Sequence, residues 1–255
     1  MNISLSELGK NKKVYFASDF HLGIPNPESS LIREKKIVNW LNQISVDAHA
    51  IFLVGDIFDF WFEYKHVVPK GNVRLLGKLA ELTDQGIQVF IFSGNHDLWL
   101  KDYLPNEIGV VIINEPISIT IDSKKFYIAH GDGLGPGDRK YKFFKKIFTN
   151  KVCQWLFKWF HPDLGISLAS YWSQDSRLGQ INEPLVFLEE KEWLVIYSRE
   201  IEKNAHHDYY IYGHRHIPNI YKLSENSTYF NLGEWVHGSS FAVFQNGELS
   251  LELFE

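Results

Sequence analysis

Apolar runs of strand length recur along the chain, and five of them stop at the same kinds of residue. Val14-Tyr-Phe-Ala-Ser leads to Asp19 and, two residues on, to His21. Ala50-Ile-Phe-Leu-Val-Gly leads to Asp56, and Gln88-Val-Phe-Ile-Phe-Ser-Gly leads to Asn95-His96-Asp97. Lys125-Phe-Tyr-Ile-Ala leads to His130-Gly-Asp132, and Tyr209-Tyr-Ile-Tyr-Gly leads to His214-Arg-His216. A run with no polar alternation reads as a strand buried on both faces. A hydrophilic group at its carboxyl end then stands where open α/β sheets place their ligands.

Between these strands the periodicity changes. Asn26-Pro-Glu-Ser-Ser opens a helix predicted over 29–43, with Ile32, Ile37, Trp40, Leu41 and Ile44 on one stripe. A second helix is expected over 72–84 through Val73, Leu76, Leu79, Ala80 and Leu82, closed by Gly86. Leu98 to Leu104 reads as a short helix, and Leu185 to Ile201 as a longer one rich in Glu and Lys. Runs at 110–113, 117–121 and 126–129 suggest a β-meander. Strands are expected again near 208–212, 218–223, 228–232, 240–245 and 248–254. The front half alternates strand and helix while the back half is mostly strand. This predicts two mixed β-sheets packed as a sandwich flanked by helices, an α-β-β-α arrangement.

Composition narrows the classes. The 255 residues suit one large domain over 1–255, carrying an insertion at 138–182. A net charge of −5 gives no broad attraction for nucleic acid. The one cysteine, Cys153, sits in an apolar, aromatic stretch and reads as packing, and a single thiol excludes an intramolecular disulfide. Residues 1–13 show no apolar signal-peptide core, and no run reaches the ~20 apolar residues of a membrane-spanning helix. These features suggest a cytoplasmic protein, and nothing in the sequence demands an obligate protein partner.

The strand-end residues are chemically of one kind. Asp, Asn and neutral His are ligands for hard or borderline divalent ions, and a pair of ions ~3.5–4 Å apart needs a bridging carboxylate. Asp19 and His21 can aim at one ion, Asp56 beside Gly55 is the natural bridge, and Gly94 frees the turn that presents Asn95. His130, His214 and His216 complete the set. His49, His161, His206 and His207 lack that context and read as surface or internally satisfied residues, and His66 and His237 are set aside on position alone.

Asp-x-His, Gly-Asp, Gly-Asn-His-Asp, His-Gly-Asp and Gly-His-x-His, in this order across residues 19–216, closely resemble the blocks of the calcineurin-like metallophosphoesterases. The resemblance implies a dinuclear-metal hydrolase, with Asp19, His21, Asp56 and His216 holding one ion. Asp56, Asn95, His130 and His214 would hold the other. It also implies that His96 stands near the leaving-group oxygen, oriented by Asp59 or Asp97, with the family pattern favouring Asp59. Asp97 is alternatively a helix cap.

The insertion sharpens the resemblance. Between Asp138 and Phe160 seven basic residues stand against one acid, interleaved with Phe, Trp, Ile, Leu and Val. Such a helix suits a bilayer interface or an acyl-chain pocket, or else packs its apolar side on the protein itself. Asp138, Tyr141, Gly-Asp-Ile-Phe-Asp-Phe-Trp after the second strand, and Gly233-x-Trp235 are similar to the UDP-2,3-diacylglucosamine diphosphatases of lipid A synthesis. That subfamily cleaves a nucleotide-linked glycolipid to UMP and 2,3-diacylglucosamine 1-phosphate, usually with two Mn²⁺ ions, at the cytoplasmic face of the inner membrane. It makes Asn95, Asp138, Tyr141, Ser176 and Arg177 candidate substrate contacts. The chain departs from that pattern at His96, where well-studied members carry Arg, and at Ser173 and Gln174, where basic residues are expected. The competing expectation is a soluble calcineurin-like phosphodiesterase or nucleotide pyrophosphatase of other specificity.

Overall fold

The computed structural model describes residues 5, 8–137, 139–167 and 186–255. Of the expected substrate contacts, Asp138, Ser176 and Arg177 lie outside the described residues, as does Leu185 of the helix expected from that position.

Eleven strands among the described residues form two mixed sheets. The first has the order β11(Glu248–Leu253), β10(Ser240–Gln245), β1(Lys13–Ala17), β2(Ala48–Leu53), β3(Gln88–Phe92), β4(Val111–Ile113). The second runs β5(Ile117–Ile121), β6(Lys124–Ala129), β7(Tyr209–Tyr212), β9(Thr228–Asn231), β8(Asn219–Lys222). Val14, Phe16, Phe52 and Phe90 of the first sheet pack against Phe126, Ile128 and Ile211 of the second, all buried. The rings of Phe16 and Phe126 stack at 5.9 Å across that boundary. Burial on both faces is why these strands carry no polar alternation.

Helices α1(Pro27–Ile44), α2(Val73–Asp84) and α3(Tyr103–Ile108) cover the outer face of the first sheet, where Ile37, Trp40, Leu75 and Leu79 meet Ile51, Leu53 and Ile91. The second sheet is covered by α6(Trp193–Asn204), whose Leu194 and Val195 pack on Tyr127, Tyr210 and Tyr229. The expected α-β-β-α sandwich is the observed one. Asn26 caps α1 by accepting from Ser29 N at 2.8 Å, with Pro27 in the first turn.

Local expectations fail where tertiary contacts decide. Ile32 and Val73, placed on buried stripes, are each 71% exposed, and Leu75 takes the inward position in α2. The supposed meander is split, because β4 pairs in parallel with β3 in the first sheet while β5 and β6 form a hairpin in the second. The chain changes sheets at Asn114-Glu115-Pro116, where proline ends the ladder. The helix expected over 98–104 begins only at Tyr103. There the Glu63 carboxylate accepts from the backbone N–H of Lys101, Asp102 and Tyr103 at 2.8–3.1 Å, fixing the start that local sequence does not mark.

Within the expected insertion the aromatic, basic run is two helices, α4(Arg139–Phe148) and α5(Lys151–Phe157), joined at Asn150, which caps the second. They dock through Trp99 Nε1 donating to Phe148 O (2.7 Å), Lys101 Nζ donating to Gln154 Oε1 (2.8 Å), and the Phe157 ring tilted against Phe62 and Trp99. Phe143, Phe144, Val152, Trp155, Leu156, Trp159 and Phe160 remain exposed. Cys153, expected to be packed, is exposed on the same helix.

Candidate metal centre

β1, β2 and β3 are parallel neighbours in one sheet, and β6 and β7 are parallel neighbours in the other. Their carboxyl ends therefore open on one edge of the sandwich. Backbone bonds tie neighbouring loops within each sheet there, and a side chain ties the two sheets together. Asp19 N donates to Gly55 O (3.0 Å), His21 N to Asp56 O (2.9 Å), and Gly213 N to His130 O (3.0 Å). The Asp19 carboxylate accepts from His214 N across the sheets.

The side chains converge within this frame. His216 Nε2 lies 3.1 Å from Asp19 Oδ1 and 3.1 Å from His21 Nε2. His21 Nε2 is 3.8 Å from Asp56 Oδ2, and His130 Nε2 is 3.3 Å from the same oxygen. Asn95 Oδ1 stands 3.2 Å from His130 Nε2. Donor atoms of Asp56, His130 and His214 all lie within 4.8 Å of one another, as do those of Asp19, His21 and His216. Asp56 thus adjoins both groups.

Four observations make this set fit divalent cations. Ligand bonds of ~2.1 Å imply donor–donor edges of about 3.0–3.4 Å, which brackets most of the spacings above. Oxygen and imidazole donors without thiolate suit Mg²⁺, Mn²⁺, Fe or Zn²⁺. The ring nitrogens of His21 and His216 also face each other at 3.1 Å, close enough for one cation to take both. His130 Nδ1 meets Val54 O at 2.8 Å, so the tautomer that leaves Nε2 free for the centre is the one its own surroundings favour.

The backbone reports the same convergence. Asp19, His21, Asp56, His214 and His216 all adopt positive φ, between 44° and 65°. Non-glycine residues rarely take this conformation, and its clustering marks strain held by the surrounding fold. Gly94 acts through space rather than through the turn expected of it, because a Cβ there would lie 2.1 Å from Asp56 Oδ1.

Burial and mutual charge set the titration. Burial alone would raise both central carboxyls. The neighbouring imidazoles win, with His216 and His21 holding Asp19 low, and His130 and His96 holding Asp56 well below the usual carboxylate range. Burial opposes protonation of His130, but Asp56 outweighs it and lifts the ring to about 10. Burial and the His130 charge press His214 down to about 4. A cation entering this set displaces protons, since imidazole ligates only when neutral.

Two neighbours shape the rim. His96 Nδ1 lies 3.2 Å from Asp59 O and 3.6 Å from Asp59 Oδ1, whereas Asp97 neither orients His96 nor caps a helix. The Asp97 carboxylate is wholly buried and accepts from the N–H of Gly94, Asp56, Ile57 and Phe58, tying the loop after β3 to the loop after β2. Burial and nearby Asp56 raise it to about 7. Tyr141 OH and Lys145 Nζ both donate to Asp132 Oδ2 at 2.6 Å, which pins α4 to the loop that carries His130. Asp132 lies inside the His-Gly-Asp block, and that position was the available signal for its role. His66 and His237 are exposed and belong to none of the donor groups among the described residues.

The fold and the site together define a metal-dependent phosphoester or phosphoric-anhydride hydrolase. The chain belongs to the calcineurin-like phosphoesterase family, whose model matches residues 12–218. More particularly, it is 37% identical to a UDP-2,3-diacylglucosamine hydrolase of Porphyromonas gingivalis (strain ATCC BAA-308 / W83), over 95% of this chain and 98% of that one. Enzymes of the same name from Vibrio vulnificus (strain CMCP6) and Histophilus somni (strain 2336) are 28% and 25% identical. They cover 91% and 92% of this chain, and 94% and 96% of their own.

Proposed function

We propose that the chain hydrolyses UDP-2,3-diacylglucosamine to UMP and 2,3-diacylglucosamine 1-phosphate, using two divalent ions, most simply Mn²⁺. The observation that carries this is the convergence of the strand-end donors around Asp56, in a chain aligned end to end with hydrolases of that name. In this reading Asp19, His21, Asp56 and His216 would hold one ion, and Asp56, Asn95, His130 and His214 the other. Ions bound there would contribute Lewis acidity toward phosphoryl oxygens and a lowered pKa for a bound water. His96 faces Asp59 through Nδ1, and in this reading its ring protonates or hydrogen-bonds the leaving oxygen. Asn95 doubles as a substrate contact in this reading, and Asp138, Tyr141, Ser176 and Arg177 are further substrate contacts.

Residues 138–182 form, in the same proposal, a cap on a single domain over 1–255. Its exposed Trp155, Trp159 and Phe160, with Lys146, Lys151 and Lys158 nearby in sequence, suit acyl chains and an anionic bilayer surface. No helix among the described residues is long and apolar enough to cross a membrane, and the proposed contact is peripheral, at the cytoplasmic face of the inner membrane.

Purified protein with Mn²⁺ and UDP-2,3-diacylglucosamine in mixed micelles is expected to release UMP, with turnover rising when vesicles or detergent present the lipid. Turnover of water-soluble nucleotides or diesters, with no UMP from the lipid, would replace this reading with a soluble phosphodiesterase or nucleotide pyrophosphatase.

A further inference from the structure

The loop after β1 has an unusual accounting. Asp19 and His21 both sit at positive φ, and the backbone N–H groups of Asp19, His21 and Leu22 are taken by Gly55, Asp56 and Ile57 of the loop after β2. The carbonyls of Phe20, His21 and Ile24 turn the other way, toward α1. One side chain meets all three. Arg33 Nε donates to Phe20 O at 2.7 Å, and its Nη2 donates to His21 O and Ile24 O, both at 2.6 Å. Arg33 is only 6% exposed and lies on the inward face of α1 with Ile37 and Trp40. A buried cation needs compensation. Asp59 and Glu234 supply the opposite charges, and the carboxylate of Glu234 is itself fixed by the N–H groups of His237 and Gly238.

We propose that Arg33 is a positioning residue for one half of the metal centre, locking the strained Asp19–His21 loop so that both side chains reach the ion they share with His216. This rests on the dinuclear reading above. The planar guanidinium reaches three carbonyls from two nitrogens in a fixed fork, which an ammonium on a flexible stem does not reproduce. The other half is held differently, by the His130 Nδ1 bond to Val54 O and by the Asp97 clasp on the loops of Asp56 and Asn95. Arg33 therefore acts chiefly on the ion of Asp19, His21 and His216, whose loop it braces directly.

The test is a metal count and a Mn²⁺ titration on the full chain, wild type beside Arg33→Lys and Arg33→Met. Wild type is expected to retain two ions. Arg33→Lys, which keeps the charge and the stem, is expected to weaken one site by about 10–100-fold and leave the other unchanged, and Arg33→Met to leave one ion bound. Should Arg33→Met fail to fold, the lysine variant decides alone. Two ions bound at wild-type affinity in the variants, even with a lowered melting temperature, reduces Arg33 to a brace of the fold and overturns the inference. Fewer than two ions in wild type overturns the dinuclear reading, and this inference falls with it.

Discussion

Two dense polar clusters stand at opposite ends of β7, and they are built on opposite rules. Before the strand begins, Glu202 accepts from Tyr210 OH, His207 N–H and Ser227 OH, and pairs with His206 Nδ1 at 2.7 Å. His207 is closed off in turn by Ser118 at 2.9 Å. Beyond the strand, His214 and His216 join a set in which imidazoles face imidazoles, two carboxylates are buried side by side with them, and five residues hold left-handed backbone. The first cluster completes its own hydrogen bonds and stabilises the fold. The second turns its donor atoms toward a common centre, and the buried Nδ1 of His21 has no hydrogen-bond partner there. A satisfied network argues for structure, and a strained, like-facing one argues for a ligand.

The contrast breaks first at Asp56. Asp56→Ala is expected to lower hydrolysis on the order of 10³-fold or more, since groups acting as a unit fail together. It should also reduce bound metal to at most one ion. A large loss of metal-free stability with normal turnover would reverse the roles assigned to the two clusters.

Glu202→Ala should do the opposite. Leaving its donors unpaired costs about 2 kcal/mol, seen as a melting point lowered by several degrees with metal content and turnover unchanged. The pH dependence sharpens this. Burial would raise the Glu202 carboxyl, but His206 and Tyr210 hold it at about 2, below the ordinary 4.5. A depressed folded value adds stability that is fully present above 4.5 and is lost as pH falls toward about 2. The stability gap between wild type and Glu202→Ala is therefore expected to be full at neutral pH, to narrow below 4.5 and to close near 2. A gap constant across that range would remove the carboxylate as its cause.

The second cluster was easier to read from sequence than the first. Its members stand at the ends of unbroken apolar runs, where a chain has no structural reason to place Asp or His. The sandwich followed from those same runs. What sequence did not mark was settled by long-range contacts. The start of α3 depends on Glu63, forty residues earlier in the chain. The transfer of the chain between sheets after β4 has only Pro116 as a local sign. Asp97 looked like a cap because its partners, in the loop after β2, are remote in sequence. Arg33 was hidden among polar helix residues, although its place one turn before Ile37 and two before Trp40 puts it on the buried stripe.

Anomalous diffraction from crystals soaked in Mn²⁺ tests the central claim most directly. The account predicts two peaks about 3.5–4 Å apart, with Asp56 between them, Asp19, His21 and His216 around one, and Asn95, His130 and His214 around the other. A single peak, or peaks away from Asp56, would contradict it.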